Sequence, residues 1–472
     1  MDTKTKKKTF FIYQALLFLG TIPTWLAAWP GFFCYDAQAE SYEVMTYKFS
    51  NRHPIIHELI LGNVLRLGNR LFGSYNAGIV IYVFVQMIIM TAIFAYLLLT
   101  LKECKVRKIG IILSGLFLSI FPPVSIYTVC TVKDVLFSGG VVLLFTIALR
   151  IEKKLNDIKD KKTLLLIFSA VLLICFFRNN GVYALILFAL IALLFHKSFR
   201  RALIPIVTGI VLYFVITESL VAALSAKTWE IKELLSVPIQ QLARVYVEDR
   251  DAYSEKDLEV LYELIPAVIL ERYNPDSADD VKVNFLEDNY KADKGKFISL
   301  WWRTMLKSPG EYAKAFWYMI DSYFYPGAPV VGYEGRQVGE MVYGESAYFQ
   351  FEIEYPCFSN TLFPAYHSML KSMSLDIRWQ QIPVLSLFLS PASYMWIYLI
   401  SFILHIISKK KDRVLRYLIP LPILLTVMFG AMALVRYVLY LYLLAPLFIY
   451  DIICSISELR QSPSKDRTAP SP

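Results

Sequence analysis

Ten separate stretches of this chain are apolar and either long enough, or nearly long enough, to cross a lipid bilayer. No other feature constrains the fold as strongly. A bilayer core is about 30 Å thick and takes roughly 20 apolar helical residues, somewhat fewer where the membrane thins. The stretches lie near 10–30, 78–101, 108–123, 134–150, 162–177, 181–196, 202–221, 383–407, 414–434 and 437–456. In lipid each backbone polar group must find its partner within the protein, which favours helices. The expectation is therefore an all-α multi-pass membrane protein with about ten transmembrane helices. Composition agrees, since 56% of the 472 residues are hydrophobic and 18% are charged, against about 45–50% and about 25% in soluble domains. A water-soluble enzyme does not fit these proportions.

The formal charge of +9 would suggest nucleic acid only if basic residues gathered on one soluble face. They sit instead at the ends of the apolar runs, so no nucleic-acid partner is expected. Basic loops mark the cytoplasmic side of a membrane protein. Assigning alternate loops on that basis puts 25 basic residues inside: before the first run, in 102–108, 150–162, 197–201 and 409–416, and after 456. Outside, segment 31–77 holds four, and Lys133, Arg178 and Arg436 stand one each. This pattern requires two short spans in 162–196, turned at the RNNG of 178–181, and places both termini in the cytoplasm. The first run follows Lys4, Lys6, Lys7 and Lys8 and lacks a small-residue cleavage site, so it reads as a retained anchor. Six cysteines, at 34, 104, 130, 175, 357 and 454, have no metal-site or disulfide spacing.

The expected organisation is a transmembrane module over 1–221 with a first external loop at 31–77, an extracytoplasmic domain over 222–382, C-terminal helices over 383–456 and a cytoplasmic tail over 457–472. The 222–382 region carries 16 basic and 24 acidic residues and five of the eight tryptophans, which marks a folded cap. WEIKELLSVPIQQLARVYVED and SEKDLEVLYELI repeat apolar residues at helical spacing, whereas YPGAPVVGYEG at 325–335 reads as turns. The cap is thus expected to be mostly helical with a loop-rich second half, and SPSKDRTAPSP at the end to be disordered.

Ionisable groups near hydrocarbon cost about 2.5–3.5 kcal/mol each on insertion scales, and the candidate groups all fall on the outer side. Asp36, Glu40 and Glu43 share one face of a helix beginning near Asp36. Arg52, His53 and His57 precede or enter IIHELILGNVLRLGNRLF, an amphipathic stretch suited to lying in the interface plane at headgroup depth. His53 and His57 are four apart and could hold a metal with a carboxylate, or could be polar groups on a helix surface. Lys133 and Asp134 end the apolar loop FPPVSIYTVCTVKD, and irregular backbone at such depth is tolerated where it is buried or lines a wet cavity. Arg178 and Arg436 lie at two further outer turns, and Glu218 near the outer end of the seventh span. Charges from separate loops at one depth suggest a shared anionic ligand.

No phosphate-binding glycine loop, H-E-x-x-H, G-x-S-x-G or dinucleotide fingerprint occurs. The arrangement resembles the integral-membrane glycosyltransferases of the GT-C superfamily, such as protein O-mannosyltransferases and the aminoarabinose transferase of lipid A. Those proteins carry an acid just after the first span, matched by Asp36 in CYDAQAE, and often an H-P-P-L-like motif, matched by His53 and Pro54 in RHPIIHEL with Ile55 in place of the second proline. From PGFFCYDAQAE and NRHPIIHEL through TVKDVLF to LLSVPIQQLARV and KSPGEYAKAFW, the chain is similar to a bacterial family of multi-pass membrane proteins related to that superfamily.

The resemblance implies transfer of a sugar from a polyprenyl-phosphate donor to an acceptor hydroxyl of a glycan, lipid or protein, at the outer face of a bacterial plasma membrane. Asp36 would be the base. Arg52, His53, His57, Lys133, Asp134, Arg178 and Arg436 would bind donor phosphate or substrate. No nucleotide cofactor is expected, and a divalent cation is left open. Two other readings stand beside it: a polymerase or ligase joining lipid-linked glycans, and a transporter or flippase of lipid-linked sugars.

Overall fold

The computed structural model describes residues 2–461 other than 196, 228–230, 332–336, 339–340, 343–352 and 409–410. The terminal SPSKDRTAPSP and the GYEG end of the expected turn segment lie outside the described residues. The longer helices of the first half are α1 (Thr3–Ala27), α2 (Asp36–Thr46), α3 (Ile55–Phe72), α4 (Tyr75–Glu103), α5 (Lys108–Ile120), α6 (Pro122–Thr128), α7 (Asp134–Glu152), α8 (Lys161–Phe177), α9 (Asn179–Phe195) and α10 (Leu203–Ala223). Those of the second half are α11 (Ser236–Glu248), α12 (Glu255–Leu264), α13 (Lys294–Lys307), α14 (Pro309–Ile320), α15 (Pro364–Leu375), α16 (Pro391–Ile407), α17 (Lys411–Tyr417), α18 (Pro420–Met428) and α19 (Leu439–Gln461). Among the described residues the one sheet is a hairpin of two-residue strands, Gln337–Val338 and Met341–Val342.

Among the described residues the regular structure is all helical apart from that hairpin, and the apolar helices are those of a membrane-associated protein. Five helices among the described residues are long and apolar enough to cross a membrane: Thr3–Ala27, Tyr75–Glu103, Asp134–Glu152, Arg200–Ala223 and Val435–Arg460. A sixth results if α5 and α6, bent by 52°, are taken as one broken span. The ten apolar runs of the sequence all fall on helices, but proline divides several of them. It lacks the N–H that continues a helix and restricts the residue before it. Pro122 separates α5 from α6, Pro391 opens α16 and Pro420 opens α18 after α17 has ended at Tyr417. The expected spans at 162–177, 181–196 and 383–407 fall on helices of 17 residues each, and that at 414–434 on helices of 7 and 9.

Helix α7 is the axis of the bundle. In its apolar window 94% of the residues are buried, and it packs against α4, α8, α17 and α19. Helix α3 is folded tightly back on α4. Gly73 closes α3 in the left-handed region at φ 68°, and the next residue, Ser74, caps α4 by accepting from Asn76 N. The two helices then touch backbone to backbone, because a Cβ on Gly68 would lie 2.1 Å from Gly78 N. Only glycine permits that approach.

The region 222–382, expected as a single unit, divides in two by its packing. Ile239, Leu242, Leu261, Phe285, Phe297 and Leu300 belong to a core of the cap's own, formed as α11 and α12 turn their apolar faces inward. Ser254 and Asp257 close a reciprocal capping box at the start of α12. From Met319 onward the chain joins the main core through Tyr323, Val330, Cys357, Leu370 and Met373. Leu362 N donates to Leu26 O at 2.9 Å, and the His367 Nδ1 lies 2.8 Å from Ala27 O, so this second part is strapped to the end of α1.

Candidate functional site

Three segments meet at the N-terminal end of α7, and backbone hydrogen bonds bring them there. Phe32 N donates to Val129 O at 3.1 Å and Thr131 N donates to Phe32 O at 3.0 Å. Gln86 of α4 donates its side-chain amide to Thr128 O and Cys130 O. On the other flank of the Phe32 strand, Glu354 N donates to Phe33 O at 2.8 Å and Tyr35 N donates to the Glu354 carboxylate at 2.8 Å. That last bond holds Tyr35 at a φ of 52°, a region L-residues seldom occupy. As a result α2 and α7 begin side by side, with Asp36 in the first turn of one and Lys133 and Asp134 at the start of the other.

The charges interlock. Lys133 Nζ donates to Asp36 Oδ2 at 2.5 Å and to Glu40 Oε1 at 3.2 Å, and stands 3.2 Å from His53 Nδ1. Arg436 Nη1 donates to the same Asp36 Oδ2 at 3.0 Å and lies 3.8 Å from Asp134 Oδ2. Arg178 donates to Asp134 Oδ1, and its guanidinium lies 4.4 Å from the centroid of the Tyr437 ring. Below this layer the His57 Nδ1 meets Glu40, and its Nε2 lies 2.8 Å from the Tyr82 hydroxyl. Three carboxylates and three side-chain cations thus balance in one buried network. Asp36 keeps an open edge, with 26% of its side chain exposed.

Burial would push the Asp36 carboxyl up, but the Arg436 and Lys133 cations outweigh it and hold it well below the usual carboxylate range. Glu40 meets the same opposition of burial against His57 and Lys133, and falls to about 2. Burial and the neighbouring Lys133 bring His53 down to about 4, so it is a neutral imidazole at pH 7. Lys133 is raised, because Asp36, Glu40 and Asp134 overcome its burial. Glu58, one residue beyond His57, goes the other way: burial, then the Glu43 and Glu40 charges, lift it to about 9. Both Glu58 carboxyl oxygens are buried, beside the Glu43 carboxylate.

Of the residues singled out in the sequence, Asp36, His53, His57, Lys133, Asp134, Arg178 and Arg436 all belong to this network. Arg52 stands at its edge, where its charge adds to the lowering of His53. It is 54% exposed and faces Glu233 of the cap at 3.6 Å. Glu43 accepts from Ser50 N and Oγ, closing the 47–54 loop, and Glu218 is exposed on α10. Tyr82, Tyr437 and Glu354 carry no sequence signal for their place here, since the first two read as apolar-run aromatics and the third as one acid of an acidic cap. Among the described residues no three His, Cys, Asp or Glu side chains are grouped to hold a metal ion. The Lys133 ammonium occupies the point between Asp36, Glu40 and His53, and both His57 nitrogens are engaged.

Residues 43–466 match the model of a family described as a family of unknown function, DUF6020. The chain belongs to this family. The matched segment of this DUF6020 member includes His53, His57, Lys133, Asp134, Arg178 and Arg436, while Asp36 and Glu40 precede it. Neither the curated proteins nor the solved structures contain a match to the chain.

Proposed function

We propose that this chain is an integral-membrane glycosyltransferase of GT-C type, crossing a bacterial plasma membrane about ten times with both termini in the cytoplasm and the Asp36 network at the outer face. In this arrangement the short helices α8, α9 and α16 and the α17–α18 pair complete the crossings, and the cap stands over the network. The donor is a sugar linked to a polyprenyl phosphate, and the acceptor is a hydroxyl of a glycan, lipid or protein. One observation carries the reading: a carboxylate with an open edge, shared by Lys133 and Arg436, at the end of the most deeply buried apolar helix.

The acceptor oxygen attacks the anomeric carbon. Its new bond to carbon forms as the bond from that carbon to the phosphate oxygen breaks, the electron pair leaves with the lipid phosphate, and the acceptor proton passes to the Asp36 carboxylate. Attack from the face opposite the leaving group inverts the anomeric centre. Lys133, Arg436 and Arg178 stabilise the charge that grows on the phosphate, an effect enlarged where water is excluded. Arginine adds two parallel donors to that task. His53, neutral at pH 7, offers a hydrogen bond and no charge.

The test is the Asp36→Asn variant, purified and reconstituted, and assayed for sugar transfer from a polyprenyl-phosphate donor. Loss of a general base lowers the rate by about 10²- to 10⁴-fold. Transfer at the wild-type rate by a folded variant would rule out this role, and donor moved across the membrane without being consumed would favour the flippase reading.

A further inference from the structure

Asp36 holds two positions at once. Its Oδ2 accepts from Lys133 Nζ at 2.5 Å and from Arg436 Nη1 at 3.0 Å, which is where an incoming oxyanion would have to bind. A carboxylate gripped by two cations is also a weak base, because each cation favours its ionised form.

The cations have anchorage of their own. Lys133 also donates to the fully buried Glu40, and Arg436 faces the fully buried Asp134. Arg436 is 6% exposed, and its Nε has no acceptor among the described residues, so donor capacity remains unused. Asp36, at the open edge, is the member of the network free to yield. A phosphate ester carries non-bridging oxygens that can take one donor from the lysine and a pair from the arginine.

We propose that Asp36 is a placeholder for the phosphate anion: a phosphate ester entering the site takes over Lys133 and Arg436, and the carboxylate it displaces becomes the base. This rests on the transferase reading for its chemistry and goes beyond it by making the base strong only when the phosphate position is filled. Once the cations are shared with phosphate, burial and the new negative charge both act to raise the Asp36 carboxyl. Binding is thereby ordered, with donor before deprotonation of the acceptor.

The full chain in nanodiscs is titrated with a short-chain polyprenyl phosphate and, separately, with inorganic phosphate, comparing wild type with Asp36→Asn. Removing the internal competitor tightens phosphate binding by about tenfold, the worth of one charge-assisted hydrogen bond, while transfer is lost. Tightening with the lipid phosphate alone identifies a lipid headgroup as the natural anion, and tightening with both identifies the phosphate group itself; either supports the placeholder. Equal or weaker binding by the variant in both titrations overturns it. Carbodiimide labelling of Asp36 in the wild-type protein, mapped by mass spectrometry across pH, is a second measurement that needs no variant. Its midpoint moves upward when polyprenyl phosphate is bound, and an unmoved midpoint overturns the proposal. Loss of transfer without tighter binding defeats the placeholder alone, whereas retained transfer in Asp36→Asn defeats the transferase reading.

Discussion

Helix α7 carries a buried ion network at each end, and the two are made of similar parts. At one end stand Asp36, Glu40, Asp134, Lys133, Arg178 and Arg436. At the other, about 24 Å along the axis from Asp134 to Arg150, Arg150 Nη1 meets Glu103 at 2.7 Å while Glu103 also binds Lys6 of α1 at 2.5 Å. Arg416 pairs with Glu152 and donates to Asp451 Oδ2 at 2.6 Å, and Arg413 bonds Glu458 at 2.9 Å. Tyr417 OH donates to Asp451 at 2.6 Å, and His405 lies between Arg416 and Ser455.

The difference lies in the shared acid. Asp451 is 3% exposed, Asp36 26%. The Arg416 network buries its shared acid, and ties α7, α16, α17 and α19 together. The Asp36 network has the same charge types and similar burial of its cations, but its central carboxylate is partly exposed. The cations at the two ends are thus alike in charge and burial, and the exposure of the shared acid is what differs.

Replacing a cation at each end tests this most strongly. Arg416→Met leaves the buried Asp451 with Tyr417 and His405 but without its arginine, while Glu152 keeps Arg413, and should cost about 3–5 kcal/mol of stability, read by unfolding in detergent. Arg436→Met should cost clearly less, since Asp36 keeps Lys133 and Asp134 keeps Arg178, yet it should abolish transfer. Equal losses of stability from the two changes would break the contrast.

Glu58 gives the next largest effect, with the opposite sign. Its carboxyl titrates at about 9 in the folded chain against 4.5 for an ordinary glutamate, so the fold holds it protonated while the unfolded chain ionises it. The stability this group contributes is complete below pH 4.5 and is lost as pH rises toward 9. Glu58→Gln removes that dependence, and should stabilise the chain by up to about 3 kcal/mol at pH 7 with no gain below pH 4.5. A melting-temperature difference that is flat across this range would contradict the buried-acid assignment.

Arg52→Ala should be the mildest change. An exposed pair such as Arg52 with Glu233 contributes about 0–1 kcal/mol, and transfer should persist. A large loss of transfer would draw the cap's Glu233 edge into the site and widen the open end of the comparison.

Much of the open site was legible residue by residue. An acid just after an apolar run, a histidine pair entering an amphipathic helix and single charges at apolar turns are all conspicuous where charge is costly. The closed network was not. Arg150, Arg413 and Arg416 read as loop charges marking orientation, and nothing in the sequence separates them from the lysines beside them. Glu40 was equally ambiguous, its helical spacing fitting a solvated face as well as the buried bond to His57. The strap from Met319 onward was hidden for another reason: its packing on α1 depends on contacts over more than 300 residues, such as His367 with Ala27.

By itself the sequence determined that this chain is helical and lives with lipid, because the length of an apolar run and the cost of leaving backbone groups unpaired in hydrocarbon are local properties. It also determined which few charges stand apart from the basic loops. Only the tertiary structure decided which of them meet. Asp36 is 97 residues from Lys133 and 400 from Arg436, and partners at such separations are selected by how helices pack around α7, a property that no stretch of the sequence carries alone.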